Sequence, residues 1–218
     1  MRVLDLYAGI GGTDKGIRKV AAEKKLKIDY YAIEIDPAVC QAHKKNNPES
    51  NVICADVKDW LDKITDFDFV WASPPCKTHS LLQMINKGRR RKTELVDWSL
   101  WQVIDVLQRA ETVPFVVENV KVWYNEPFKH NFKLDRHYFW TNLRLIPFGY
   151  HKKPAKEWGH ISVKDWQEYH QLEPATTGDK RQQLRNCVHW SIAAGIFEQF
   201  LEPRSPILEF LTGAEQKA

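Results

Sequence analysis

Short apolar runs alternate with amphipathic stretches through the first half of the chain. Val3 to Tyr7 reads as a buried strand, followed by a glycine-rich turn and a helix from about Asp14 to Lys25. Tyr30 to Ile35 predicts a second strand, and Pro37 then opens a helix running through about Lys45. Val52 to Ala55 is a short third strand ending at Asp56, and Phe67 to Ala72, rich in β-branched and aromatic residues, is the fourth. A long helix is expected from about Thr93 to Glu111, with Leu95, Trp98, Trp101, Ile104 and Leu107 forming a core stripe. Phe115 to Glu118 supplies a fifth strand. This β-α-β order predicts an α/β fold, a doubly wound, mostly parallel sheet with right-handed crossovers and helices on both faces.

The pattern then changes. His137 to Trp140 and Leu143 to Ile146, separated by Thr141-Asn142, predict a hairpin that extends the sheet. Pro147 to about Gly178 is polar, aromatic and without a strong period, which reads as a small irregular insertion. From Asp179 to Phe200 a helical period returns, and Pro203 closes it. The chain thus divides into a main domain (1–146 and 179–205), an insertion (147–178) and a C-terminal tail (206–218).

Composition narrows the setting. Hydrophobic content of 43% and charged content of 28% are those of an ordinary globular protein, and no segment has the apolar length of a membrane span. Met1-Arg2-Val3-Leu4-Asp5 enters a strand directly, which predicts no signal peptide and an intracellular setting. Cys40, Cys54, Cys76 and Cys187 show no paired spacing, so a reducing compartment is expected over a disulfide framework. Cys40 and His43 have a spacing some metal sites use, but no second pair completes it, so a plain helix face is expected and no metal. The net charge of +4 is mild, yet Lys87, Arg89, Arg90, Arg91 and Lys92 concentrate positive charge shortly after Cys76. That run reads either as a solvated loop or as a grip on phosphates.

Two motifs carry candidate chemistry. In Ser73-Pro74-Pro75-Cys76 two prolines end the fourth strand, since neither can donate to the ladder, and the stiff turn presents a thiol at the sheet's carboxyl edge. Val116-Val117-Glu118-Asn119-Val120 runs an apolar strand into a carboxylate. Asp5 to Gly12 places Gly9, Gly11 and Gly12 in the first strand-to-helix turn, where a backbone can approach a ligand closely. Glu34 stands at the second strand's tip, where a carboxylate grips ribose hydroxyls, and Asp56 at the third can reach an adenine amino group. The spacing departs from G-x-G-x-x-G, which favours an adenosine ligand without a pyrophosphate. S-adenosylmethionine fits that description.

In this order, Asp5-Leu6-Tyr7-Ala8-Gly9-Ile10-Gly11-Gly12, Pro74-Pro75-Cys76 with Ser80, and Glu118-Asn119-Val120 resemble the motifs of DNA (cytosine-5)-methyltransferases. Arg136-His137-Tyr138-Phe139-Trp140 is similar to that family's basic motif on a later strand. Asn186-Cys187-Val188 resembles the motif that returns to the cofactor. The resemblance implies the Rossmann-like fold of S-adenosylmethionine-dependent methyltransferases, with Cys76 as nucleophile, Glu118 on ring nitrogen 3 and Arg136 on the carbonyl at carbon 2. It implies cofactor contacts at Asp5, Tyr7, Ala8, Gly9, Ile10, Gly11, Gly12, Glu34, Ile35, Asp56, Val57, Pro74, Asn186 and Val188. It implies DNA contacts at Lys77, Ser80 and the basic run, on a base flipped out of the duplex.

Against the family's usual pattern, Lys77 stands for glutamine, Leu134 for the first of two arginines, and Arg185 for glycine. The insertion is about thirty residues, far shorter than usual, which raises a partner subunit for sequence recognition. The other readings are an RNA cytosine substrate, a methyltransferase acting on an exocyclic base amine, and a catalytically silent nucleic-acid-binding relative. His79, His137 and His189 carry no assigned role beyond packing or surface polarity.

Overall fold

A computed structural model of the chain describes residues 1–80, 99–153 and 161–202. Seven strands form one sheet in the order β3-β2-β1-β4-β5-β7-β6. β1 (Arg2–Leu6), β2 (Asp29–Glu34), β3 (Asn51–Cys54), β4 (Phe69–Ala72) and β5 (Phe115–Val120) are parallel. β7 (His137–Thr141) pairs antiparallel to β5 and to β6 (Phe132–Leu134).

The period-2 geometry of the central strands sends alternate residues to opposite faces. Leu4, Leu6, Val70, Ala72 and Val117 meet Leu100, Ile104 and Leu107 of α3 (Ser99–Arg109) on one side. Val3, Phe69, Trp71 and Val116 meet Ile17 and Val20 of α1 (Gly12–Glu23) on the other. Ile192, Ile196 and Phe197 of α6 (Trp190–Leu201) complete that second layer. β4 is buried along its whole length, as a parallel strand covered on both faces must be. α2 (Pro37–Asn46) begins at Asp36, whose side chain accepts from the amides of Ala38 and Val39, with Pro37 at the first helical position. A ten-residue 3₁₀ helix, Val57–Asp66, joins β3 to β4. No described helix is long and apolar enough to cross a membrane.

Three sequence expectations are corrected. The hairpin does not turn at Thr141-Asn142. It turns at Asp135-Arg136, because Asp135 takes a left-handed backbone (φ 54°) that a short polar side chain tolerates. Thr141 still belongs to β7, and Asn142 ends the strand by accepting from the Phe115 amide and donating to the Val113 carbonyl. Arg136 therefore sits in the turn before β7 rather than on a strand. The helix expected from Asp179 to Phe200 is two helices, α5 (Lys180–Asn186) and α6, parted by an extended segment at Cys187 to His189. The irregular insertion contains α4 (Val163–His170), whose Ser162–Asp165 capping box starts it. Trp166 and Leu172 pack with Val39, Ala42 and Leu184. Of the helix expected from Thr93, residues 93–98 lie outside the described residues, and Trp101 is buried as a stripe residue should be.

A strap leads from β7 towards the insertion along α6. The Ile146 amide donates to the Gln199 side chain, the Phe148 ring lies over Gly195, and the His151 amide donates to Ser191. Close approach of α1 to the segment entering α6 needs glycine twice. A Cβ on Gly12 would lie 2.1 Å from the Val188 carbonyl oxygen, and one on Gly16 2.1 Å from that of Trp190. Both obstacles are backbone, which cannot rotate away.

Gly16→Ala is therefore expected to destabilise the protein by about 2–3 kcal/mol despite its better helix propensity. Thermal melting should register a fall of roughly 4–12 °C. A shift under one degree would show that the two helices are not in the contact described.

Candidate active site

All five parallel strands end at one edge of the sheet, and because β7 runs the other way its first residue joins them: His137 is in register with Val120. Loops after β1 to β5 and the turn before β7 thus share one rim. Strand order reverses direction between β1 and β4, the switch point where open α/β sheets leave a crevice for ligands.

On the β1 side of the crevice is the glycine turn. Gly9 (φ 53°) has nothing within 4 Å of where a Cβ would be, whereas Gly11 and Gly12 are hemmed in by Asn47 and Val188. Of the three, only Gly9 borders open space; the other two serve packing. The Gly9 carbonyl accepts from His43 Nδ1 at 2.9 Å, and His43 Nε2 meets Asp14 Oδ2 at 2.9 Å. Asp14 in turn takes Arg18 and Ser50. A polar network whose Asp14, His43 and Ser50 are fully buried therefore fixes the turn from beneath.

Glu34 accepts from the amides of Gly9, Ile35 and Asp36. An ionised carboxylate has about four acceptor sites, so roughly one stays available for a ligand hydroxyl. Asp56 caps the 3₁₀ helix through Oδ1, with the Lys58 amide at 3.0 Å. Ile35 is 65% exposed at the β2 tip, a large apolar side chain open on this rim. Asp5 lies under the turn, 1% exposed, with Tyr30 donating to Oδ2 and no hydrogen-bond partner for Oδ1. Burial, above all, pushes its carboxyl up to about 7. Tyr7 is half-buried, Ala8, Ile10, Val57, Pro74 and Val188 are buried, and Asn186 is exposed.

Across the crevice is the Pro-Pro turn. Asn119, 1% exposed, donates from Nδ2 to the Pro74 carbonyl at 2.8 Å, tying the turn after β4 to the end of β5. Further on, the Trp123 indole donates to the Thr78 carbonyl and Ser80 bridges to Val122. Tyr124 sits against His79 Nδ1 at 2.5 Å and accepts from the Trp101 indole. The Cys76 turn is thus fastened on both sides, at Pro74 by Asn119 and at residues 78–80 by Val122 to Tyr124. Asn119, His79 and Tyr124 were not among the sequence candidates, and their role becomes visible only once the two segments are known to be adjacent.

Cys76 is half-buried, and its thiol is pushed up first by burial and then by the Glu118 carboxylate; Arg136 and Arg185 pull it back. Glu118, Arg136 and Arg185, the last a departure from the family pattern, are thus all within electrostatic reach of the Cys76 thiol. Arg136 also donates to the Arg185 carbonyl at 3.1 Å. Glu118 lies beside His137, Oε1 to Nδ1 2.5 Å. Behind Arg136 and His137 a cavity of about 10 Å³ is lined by Tyr169, His170 and His189. Lys77 is exposed and Ser80 half-buried on the outer side of the turn. Lys87, Arg89, Arg90, Arg91 and Lys92 lie outside the described residues.

Strand order, the reversed β7 and the crevice at the β1/β4 switch point together give the α/β Rossmann-like fold of S-adenosylmethionine-dependent methyltransferases. More narrowly, the chain belongs to the C-5 cytosine-specific DNA methylase family, whose sequence profile matches residues 1–151. It is 30% identical over 127 residues to the type II methyltransferase M.XorII of Xanthomonas oryzae pv. oryzae, covering 54% of this chain and 28% of that one. It is 32% identical to the orphan methyltransferase M.Rho11sI of Bacillus phage rho11s, over 56% of this chain and 23% of the relative. To the tRNA (cytosine(38)-C(5))-methyltransferase of Rattus norvegicus it is 26% identical, over 56% and 30%. The chain thus spans less than a third of the length of these relatives. Among solved structures it is similar to the Dnmt2 methyltransferase of S. pombe, with 23% identity and a TM-score of 0.39 over 56% of this chain and 37% of that one.

Alkylation reads the electrostatics of the thiol directly. Glu118→Gln removes a group that raises the Cys76 thiol, so iodoacetamide should modify Cys76 at lower pH than in the wild type, while Arg136→Leu should require higher pH. Peptide mass mapping separates Cys76 from the exposed Cys54; equal profiles in all three proteins would mean that the groups do not share a site.

Stability should also respond to acid. Burial pushes His170 down to about 3 and His189 to about 4, so below pH 6.5 the unfolded chain binds two protons that the folded one refuses. Asp5 acts oppositely: its raised carboxyl stabilises the fold at low pH and loses that effect as pH rises towards 7. Two groups outweigh one, so urea unfolding should show a loss of order 2 kcal/mol between pH 6.5 and 5. His170→Phe leaves one histidine against Asp5 and should flatten that slope; an unchanged slope would remove His170 from the account.

Proposed function

We propose that this chain transfers a methyl group from S-adenosylmethionine to carbon 5 of a cytosine in DNA, through a covalent adduct of Cys76 with a flipped-out base. The observation that carries this is the placement of the Cys76 turn, Glu118 at the end of β5 and Arg136 before β7 on one rim of the sheet, with the Asn119–Pro74 hydrogen bond joining the first two and both charged groups within electrostatic reach of the thiol. An exocyclic-amine methyltransferase gains nothing from a thiol at that position.

The residues around the crevice fit an adenosyl ligand. Gly9 leaves room for close approach, Glu34 keeps an acceptor for a ribose hydroxyl and Ile35 offers an apolar cover, while Asp56 at the β3 tip is assigned to the adenine amino group. Asp5, Tyr7, Ala8, Ile10, Gly11, Gly12, Val57, Pro74, Asn186 and Val188 are assigned to the same site as contacts or as its frame. When bound, S-adenosylmethionine supplies an electrophilic methyl group.

Carbon 5 of cytosine is a weak nucleophile, and addition at carbon 6 activates it. The Cys76 thiolate forms the bond to carbon 6. Glu118 delivers a proton to ring nitrogen 3, and Arg136 holds the oxygen on carbon 2, so charge pushed into the ring is neutralised as it forms. A proton on Glu118 also removes the negative charge that disfavours the Cys76 thiolate, so one protonation state serves both residues. After methylation the carbon 5 proton leaves to solvent water, nitrogen 3 returns its proton to Glu118, and the Cys76 thiolate is expelled, which restores the ring. Lys77, Ser80 and the basic run Lys87 to Lys92 are assigned to the phosphates flanking the flipped nucleotide. Residues 1–146 with 179–205 would be the catalytic unit, 147–178 the reduced target-recognition region, and a partner subunit would supply further sequence reading.

RNA is the second reading, favoured by the similarity to tRNA (cytosine(38)-C(5))-methyltransferases. One experiment serves both. Duplex DNA and structured RNA carrying 5-fluorocytosine, incubated with S-adenosylmethionine, should trap a denaturation-resistant adduct on DNA that disappears in Cys76→Ser. Trapping on RNA alone would transfer the assignment to RNA. An adduct surviving in Cys76→Ser would defeat the nucleophile, and methyl transfer to an amine without an adduct would favour the exocyclic-amine class.

A further inference from the structure

His137 had no role in the sequence, yet it makes a close contact with the Glu118 carboxyl at the rim. Its Nδ1 lies 2.5 Å from Glu118 Oε1, with only 10% and 9% of the two side chains exposed. Antiparallel pairing explains the placement. His137 is opposite Val120, and Val120 and Glu118 point to the same face of β5, so the histidine reaches the carboxyl diagonally across the two strands. Among the described residues this is the one hydrogen bond recorded for the Glu118 carboxyl. Arg136, Cys187, His170 and His189 line one cavity with His137, and Cys76 and Arg185 are the other titratable groups near the pair.

We propose that His137 is the positioning residue for Glu118, donating from Nδ1 to Oε1 and so reserving Oε2 for the proton that goes to ring nitrogen 3. This rests on the cytosine carbon-5 reading. A carboxyl whose proton sat on Oε1, facing His137, could not serve the base. With Nδ1 as donor, Oε1 is confined to accepting, and the acidic proton is carried on the oxygen left to face the substrate. The same hydrogen bond fixes the carboxyl's orientation, a constraint that β6 cannot add here, because Leu134 fills its place with a buried apolar side chain.

The test compares the wild-type chain with His137→Asn and His137→Leu. Asparagine can present an N–H near the position of Nδ1 without titrating; leucine keeps bulk and loses the donor. Single-turnover methyl transfer, on whichever nucleic acid the wild type accepts, is followed from acid to alkaline pH. Matched S-adenosylhomocysteine binding and melting temperature check folding. His137→Leu should be about ten- to a hundredfold slower. Its pH–rate profile should differ from that of the wild type, because the carboxyl has lost the donor on Oε1. His137→Asn should stay within about threefold of wild type and keep the wild-type profile, a rescue expected when a donor to the carboxylate is what matters. Equal impairment of both variants, or a wild-type profile in His137→Leu, overturns the proposal. If the leucine variant does not fold, loss of activity in His137→Asn alone overturns it.

A substrate-free measurement separates this idea from the reaction class. In ¹⁵N-labelled protein, imidazole spectra should show His137 Nδ1 protonated, with its proton shifted downfield and losing that shift in Glu118→Leu. An unprotonated Nδ1 would refute the positioning role whatever the enzyme methylates. A wild-type chain that forms no adduct and transfers no methyl to DNA or RNA would instead defeat the cytosine reading.

Discussion

One buried hydrogen bond organises the rim: the Asn119 side-chain amide to the Pro74 carbonyl. Proline offers no backbone donor, so the turn after β4 has little with which to fasten itself, and its carbonyl is the available handle. By taking that handle, the residue following Glu118 sets the distance between the thiol's turn and the acid's strand. Removing it would leave two buried polar groups unsatisfied and free the turn to drift. The fastening of residues 78 to 80 by Val122 to Tyr124 extends the same arrangement outward, so the cysteine stands on a braced ledge.

Electrostatics at this ledge work against the thiol at rest. Burial and the Glu118 carboxylate both favour the protonated sulfur, and two guanidinium groups only partly offset them. Such a balance suits a nucleophile that should be inert until its partner acid is neutral and a base is in place. The arrangement couples readiness of the sulfur to the protonation of an acid rather than to a dedicated base.

Much of this was legible in the sequence because it depends on local pattern. Period-2 apolar runs, the proline pair and the position of Glu118 at a strand end place the five parallel strands and bring both motifs to one edge. What was not legible depends on pairing between distant segments. The hairpin turned at Asp135, where a left-handed aspartate carries no strong sequence signature, so Arg136 moved from a strand into a turn. His137 reads as a packing residue until β7 is known to run antiparallel to β5. The break at Cys187 to His189 was hidden by a helical period that continues across it. His43, read as part of a plain helix face, instead clasps the Gly9 carbonyl, a partner thirty-four residues away in sequence.

The strap along α6 has a topological consequence. β7 ends at the edge of the sheet opposite the crevice, yet the strap carries the chain back until His151 stacks on His189. Eighteen residues further on, in α4, Tyr169 packs on the same histidine, 4.2 Å between ring centroids. Departure and return thus sit side by side on one anchored residue. A segment held at neighbouring points can lengthen at little entropic expense, since closure grows only with the logarithm of loop length. The architecture therefore lets the length of chain between these two points change while the sheet beneath stays the same.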